Sequence, residues 1–214
     1  MKTYNMVIAG IGGQGSILAT RIVADAAILW GEGRIENLKV RVGETFGAAM
    51  RGGSVASHLR IGTQVGGPLV PEDAAQAVLA LEPLEGLRVS IPYLAPGGVV
   101  ILNESKVMPS EVKTGIAEYP ALTDIKTALE RLGGKVFQID ATKLALEAGN
   151  AKTASAVMLG AWAGFSELPF EIVHLLEALK NRVPAKTVHA NEKAFRLGYE
   201  AVASSRAADI PMTD

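Results

Sequence analysis

The period of apolar residues changes several times along this chain, and each change marks an element. Tyr4 to Ala9 is an apolar-rich run of strand length, followed by Ser16 to Trp30, where Leu18, Ile22, Ala26 and Leu29 recur on one helical face and Gly31 and Gly33 supply a stop. Leu38 to Val42 reads as a second strand. Val55 to Ile61 reads as a third, with Val55, Ser57, Leu59 and Ile61 alternating against Ala56, His58 and Arg60. Ala77 to Leu81 is a buried fourth and Val99 to Asn103 a fifth. Between the third and fourth, Gly62 to Pro71 is too dense in Gly and Pro for a crossover helix and predicts a turn and an edge excursion, so the sheet is expected to be mixed. Ser105 to Pro120 reads as irregular. Asp124 is expected to cap a helix running to Leu132, Gly133-Gly134 end it, and Lys135 to Asp140 form a sixth strand. The pattern then becomes purely helical: Thr142 to Ala148, Thr153 to Phe165, Pro169 to Arg182 and Pro184 to Ser204, with both prolines placed in first turns. Val188, Phe195, Tyr199 and Val202 form the expected inward stripe of the last helix.

These elements predict an α/β fold with three layers, α/β/α, around a mostly parallel but mixed sheet, and a helical C-terminal third. Short connections between the late helices fold them back on the same sheet, which gives a single domain over residues 1–204 and a frayed tail over 205–214. The 214 residues are 49% apolar, enough to bury a sizeable core. A net charge of −1 with interspersed signs gives no electrostatic footprint for nucleic acid or an anionic membrane. No window approaches the roughly 18 apolar residues of a membrane span, and the chain is expected in the cytoplasm. Cysteine is absent, which removes disulfides, thiolate nucleophiles, Cys-ligated zinc and any self-held iron–sulfur cluster.

Chemistry enters at the first strand-to-helix junction. Gly10-Ile11-Gly12-Gly13-Gln14-Gly15 has the spacing G-x-G-x-x-G of a Rossmann-like βα turn, in which backbone N–H groups approach a phosphate without Cβ interference and the helix N-terminus adds partial positive charge. The acidic ribose partner expected about 20 residues later, at the end of the second strand, is misplaced. Glu32 and Glu36 precede that strand, and Glu44 follows it in a predicted turn. A nicotinamide ribose partner is therefore not supported. The other reading of the turn is a glycine device that only packs the first helix on its strand.

A second constellation, Glu44-Thr45-Phe46-Gly47-Ala48-Ala49-Met50-Arg51-Gly52-Gly53-Ser54, lies between the second and third strands. Arg51 among small residues suits an anion clamp, with Gly52 and Gly53 N–H groups as further donors; equally, Arg51 could pair with Glu44 and close the loop. Gly52-Gly53-Ser54-Val55-Ala56 lacks the second glycine of a nucleophile elbow, and no Walker motif occurs. His58, His174 and His189 lack metal-ligand spacing and read as surface or packing residues. Glu82 and Glu85 flank Pro83 and read as acidic complements of a helix N-terminus rather than an acid–base pair.

The motifs at 10–15 and 44–54, with Leu81-Glu82-Pro83-Leu84-Glu85 and Val183-Pro184-Ala185-Lys186, follow the order seen in one family. Over about residues 3–202 the chain resembles the gamma-type components of 2-oxoacid:ferredoxin oxidoreductases, most closely those of the indolepyruvate branch. The resemblance implies oxidative decarboxylation of a 2-oxoacid, here an aryl pyruvate, with coenzyme A to acyl-CoA, carbon dioxide and reduced ferredoxin. It implies that this chain is a non-autonomous subunit, inert alone and holding no cofactor by itself. Thiamine diphosphate and iron–sulfur clusters would lie in a large partner subunit, ferredoxin would meet the complex, and coenzyme A would face this chain. Matched residue by residue, Gly10, Gly12, Gly13, Gln14 and Gly15 fall on the family's turn, and Arg51, Gly52, Gly53 and Ser54 on its second motif. Gln76 stands where an Asp is common, and Ser155 where an Asn is usual. A free-standing NAD- or FAD-binding dehydrogenase and a purely structural subunit are the alternative readings.

Overall fold

A computed structural model describes residues 1–47 and 52–208. Among these residues, β1 (Tyr4–Ile11) lies inside a sheet of six strands, flanked by β3 (Ser54–Gly62) and β4 (Ala75–Ala80). β5 (Leu94–Asn103) and β6 (Lys135–Ile139) continue beyond β4, and β2 (Lys39–Phe46) forms the edge beyond β3. Position explains composition. Met6, Val7, Ile8 and Ala9 of β1 are fully enclosed because both faces of the strand are covered, so the sequence reads as a run and not an alternation. Edge strand β2 keeps Lys39 and Arg41 outside and half-buries Val40 and Val42. β3 is antiparallel to both neighbours, whereas β1, β4, β5 and β6 are mutually parallel. The mixed sheet predicted from the Gly- and Pro-rich stretch is thus present, and residues 63–74 carry no helix but return Val70 to the core.

Helices cover both faces. α1 (Ser16–Gly31), α5 (Ala141–Glu147), α6 (Ala154–Phe165), α7 (Ile172–Arg182) and α8 (Val188–Ala208) join one apolar layer through Ile22, Ala145, Trp162, Leu175 and Phe195. α2 (Pro83–Tyr93) and α4 (Leu122–Arg131) cover the other, where Ile125 and Leu129 meet Val78 and Val100. The one-turn α3 (Ser110–Lys113) lies in the stretch read from sequence as irregular. This is the three-layer α/β/α arrangement that the hydrophobic periods predict.

Several boundaries differ, each for a local reason. β2 continues to Phe46 because its backbone stays paired with β3, so Glu44 sits in the strand opposite Ser57 rather than in a turn. α2 is unannounced by periodicity, since Pro83, Gly86 and Pro92 fall within its span; Pro83 occupies the first turn, where a missing N–H is harmless. Asp124 is in the first turn of α4 and not at its cap, which is Ala121. Asp140 ends β6 by becoming the cap of α5, its carboxylate accepting the Lys143 N–H at 2.9 Å. Pro169 precedes α7, and Pro184 opens a 3-10 turn over Ala185–Thr187 before α8. In α8, Phe195 and Val202 are buried as expected, but Tyr199 is 42% exposed and Ala194 and Gly198 occupy the inner face instead. α8 runs to Ala208, past the predicted end at Ser204, and residues 209–214 lie outside the described residues.

The small residues of α8 have a steric cause. A Cβ built on Gly198 would lie 2.0 Å from the carbonyl oxygen of Val157, and one on Gly160 of α6 would lie 1.9 Å from that of Phe195. Each glycine admits the other helix's backbone, so α6 and α8 approach closer than side-chain ridges allow.

Candidate functional site

β1 leads into α1 on one face of the sheet, and its parallel neighbour β4 leads into α2 on the other. The crevice at the carboxyl ends of these two strands is where a doubly covered sheet opens to ligands. The glycine turn, the start of β3, and the ends of β4, β5 and β6 share this rim, because Ile11 pairs with Ser54, Ala9 with Ala80, Leu102 with Ala80, and Asn103 with Ile139.

Within the turn the side chain of Gln14 folds back. Its Oε1 accepts the Ile11 N–H at 2.7 Å, its Nε2 donates to the Leu81 carbonyl at 3.4 Å, and its own N–H donates to the Ile11 carbonyl at 3.0 Å. Gly10 is required by this closure, since a Cβ there would sit 2.6 Å from Gln14 Oε1 and 3.0 Å from Leu81 Cβ. Gly13 differs: its φ is +105°, and nothing lies within 4 Å of where a Cβ would be, so it presents bare backbone at the surface. Gly15, at φ +89°, caps α1 without any side-chain hydrogen bond and is backed by Ser155 of α6, whose Oγ would lie 3.1 Å from a Cβ. Gly15 thus offers the first-turn amides of α1 no side-chain acceptor, and none is supplied among the described residues.

The two glycine motifs meet directly. The Gly12 N–H donates to the Gly53 carbonyl at 2.9 Å, and the Gly47 N–H to the Ser54 carbonyl at 2.9 Å. Gly52, with φ +71°, is exposed at the start of this junction. Arg51, the proposed clamp, lies outside the described residues, as does its pairing with Glu44. The Ser54 hydroxyl is directed inward and donates to Glu85.

Glu82 and Glu85 are both buried, 1% and 3% exposed, at the N-terminus of α2. Glu82 caps the helix by accepting the Glu85 N–H at 2.9 Å and also accepts the Val107 N–H at 3.2 Å and the Tyr119 hydroxyl. Glu85 accepts from Arg88 at 2.6 Å as well as from Ser54. The sequence reading of these residues as helix-start carboxylates holds, with a hydrogen-bond network added that spacing did not disclose. Burial and then the hydrogen bond to Glu82 push the Tyr119 phenol well above its ordinary value, so it stays a donor.

On the other side of the turn lies a cavity of about 230 Å³ bordered by Gly13, Gln14, Leu81, Asn103, Thr142 and Lys152. Asn103, 3% exposed, donates to the Leu81 carbonyl at 2.9 Å and accepts the Ala141 N–H at 3.1 Å, tying β4, β5 and the start of α5 together. Lys152 is exposed at the mouth. Asn103 and Lys152 were not singled out from sequence; the one available signal was a polar residue ending the apolar run Val99 to Leu102. A larger groove of about 680 Å³ lies along the end of α1 and the beginning of β2, away from this rim.

His58 and Gln76 have partners away from the rim. His58 is fully buried, accepts the Val70 N–H at 3.4 Å and stands edge-on to Tyr93, with ring centroids 5.0 Å apart; burial pushes its imidazole below the ordinary histidine range. Gln76 accepts the Asn5 N–H at 2.7 Å, away from the rim.

Comparison with known proteins places this geometry in a family. A profile described as pyruvate ferredoxin/flavodoxin oxidoreductase matches residues 5–201. An indolepyruvate oxidoreductase subunit IorB from Pyrococcus horikoshii is 43% identical over 202 residues, 94% of this chain and 96% of that one. Among solved structures, the gamma subunit of a keto/oxoacid ferredoxin oxidoreductase from Geobacter sulfurreducens has the same fold, with a TM-score of 0.67 and 24% identity over 94% of this chain and 99% of its own. A 2-oxoglutarate:ferredoxin oxidoreductase from Magnetococcus marinus, solved with 2-oxoglutarate, coenzyme A and succinyl-CoA, contains the fold within 32% of its chain, at a TM-score of 0.66 and 20% identity over 96% of this chain. The span of the profile match and the identity to a relative covered almost end to end make this chain a member of the pyruvate ferredoxin/flavodoxin oxidoreductase family.

Proposed function

We propose that this chain is the small subunit of a cytoplasmic 2-oxoacid:ferredoxin oxidoreductase that converts indolepyruvate or a related aryl pyruvate, with coenzyme A, to the acyl-CoA, carbon dioxide and reduced ferredoxin. The observation that carries this reading is the 43% identity to an indolepyruvate oxidoreductase subunit over nearly both whole chains. A cysteine-held cluster does not fit on a chain without cysteine. Among the described residues no group of three or more His, Cys, Asp or Glu is arranged to hold a metal, and no helix is long and apolar enough to cross a membrane. Thiamine diphosphate and iron–sulfur clusters, held by a larger partner subunit, supply the carbanion and electron-transfer chemistry. This chain supplies a surface.

That surface is the rim at Gly13, and its ligand is coenzyme A. A polyanionic nucleotide suits bare backbone at Gly13, uncapped first-turn amides of α1 and the ammonium of Lys152 at the mouth of one cavity. Arg51, from the adjoining loop, adds a second cation in this reading. In this reading the Gly12 N–H and the Gln14 Oε1 shape the turn, because each already has a partner within the chain.

The test uses the complex reconstituted with its cluster-bearing partner. Lys152→Gln and Arg51→Ala should each raise the KM for coenzyme A about tenfold, the scale of one lost hydrogen bond to a charged group, with a smaller change in kcat. An unchanged KM in both variants removes coenzyme A from this rim, and turnover by the isolated chain refutes the subunit reading.

A further inference from the structure

We propose that Glu85 is a positioning residue: acting through Ser54, it fixes the start of β3 against the β1–α1 turn and so sets the spacing between the two glycine motifs. The functional weight of that spacing rests on the reading of this rim as the coenzyme A face.

The argument begins with what Glu85 is not needed for. Glu82 already caps α2 by accepting the Glu85 N–H, so the helix start is satisfied without a second carboxylate. Burying a like charge three residues along is unfavourable unless each oxygen has a partner. Glu85 has one on each: Arg88, whose side chain is 55% exposed and reaches in from the surface, and the hydroxyl of Ser54 from a different layer of the molecule. Arg88 offsets the charge. Ser54 receives the positional consequence.

The carboxylate is itself held rigidly. Gly86, the next residue, lies so close to β4 that a Cβ there would be 2.2 Å from the Ala80 Cβ, which seats α2 directly on the sheet. From that seat a short chain of bonds runs outward: Glu85 to the Ser54 hydroxyl, Ser54 to Gly47 through its carbonyl, and Gly53 to the Gly12 N–H. The backbone bonds fix the register of the junction. The side-chain bond ties the start of β3 to α2, which is seated on β4, the strand paired with β1, so a shift of the second motif away from that frame would have to break it.

The test compares Ser54→Ala, Glu85→Gln and the double variant, with Ser54→Thr as the conservative replacement that keeps the hydroxyl. Amide exchange in the assembled complex, read by mass spectrometry, should accelerate at Gly12 and Gly47 by about tenfold in Ser54→Ala and Glu85→Gln, no further in the double variant, and not in Ser54→Thr. The KM for coenzyme A should rise in the same variants by more than kcat falls. Unchanged exchange, additive effects in the double variant, or a failure of Ser54→Thr to restore slow exchange overturns the positioning role. The exchange result decides this role alone, while Lys152→Gln and Arg51→Ala together decide the coenzyme A reading. If Glu85→Gln does not assemble, Ser54→Ala against Ser54→Thr is the deciding pair.

Discussion

The rim at Gly10 to Gly15 and the contact between α6 and α8 are both built on glycine, yet they use it in opposite ways. Across α6 and α8, Gly160 and Gly198 are absences that another backbone fills, and the contact is steric and non-directional. At the rim, Gly13 is an absence that nothing fills, and the surrounding shape is held by directional bonds from Gln14, Asn103, Glu82 and Glu85. One region is closed because its glycines are occupied. The other is open because its polar groups hold it open. A glycine motif therefore says little until one knows what stands where the Cβ would be.

Three substitutions would break or sharpen that contrast. Gly160→Leu should be the most damaging, since no rotamer avoids the Phe195 backbone; loss of at least about 3 kcal/mol of stability is expected, read by denaturant titration. An unchanged midpoint would mean the helices separate freely and the fit is not a constraint. Glu82→Ala should cost about 2 kcal/mol by leaving the Val107 N–H and the Tyr119 hydroxyl short of an acceptor and α2 without its cap. Its near-ultraviolet signal should change with Tyr119, and a silent spectrum with full stability would show the network to be replaceable by water. Gly13→Ala should be mildest, about 1 kcal/mol, because only the positive φ opposes it and the space is empty. If it proves as damaging as Gly160→Leu, the rim is not open in the way described.

The same contrast explains what could be read in advance. β1 and α1 are legible because their burial is nearly uniform along a strand and one-sided along a helix, so period alone reports them. The turn between them is legible because backbone conformation leaves a chemical trace, glycine. α2 is not legible from period, since Pro83, Gly86 and Pro92 interrupt it, although the capping carboxylate and the proline at its start are signals of a different kind. The inner face of α8 is misread at Tyr199 because a pattern search looks for large residues where the packing selects Gly198. At the rim, Lys152 and Asn103 come from separate stretches brought together by the order of parallel strands, and nothing in their neighbourhood along the chain announces the meeting. Arg51 lies outside the described residues, so its part in the site is carried by sequence alone.

Gln14 has a kinetic consequence. Because its carboxamide already engages both Ile11 and Leu81, the turn holds its shape through bonds internal to the chain. Under the coenzyme A reading, a ligand would find residues 10–15 already shaped, so this turn would add little entropic penalty to association. Differences in affinity among anions meeting this turn would then reside in how long each stays, not in how quickly it arrives.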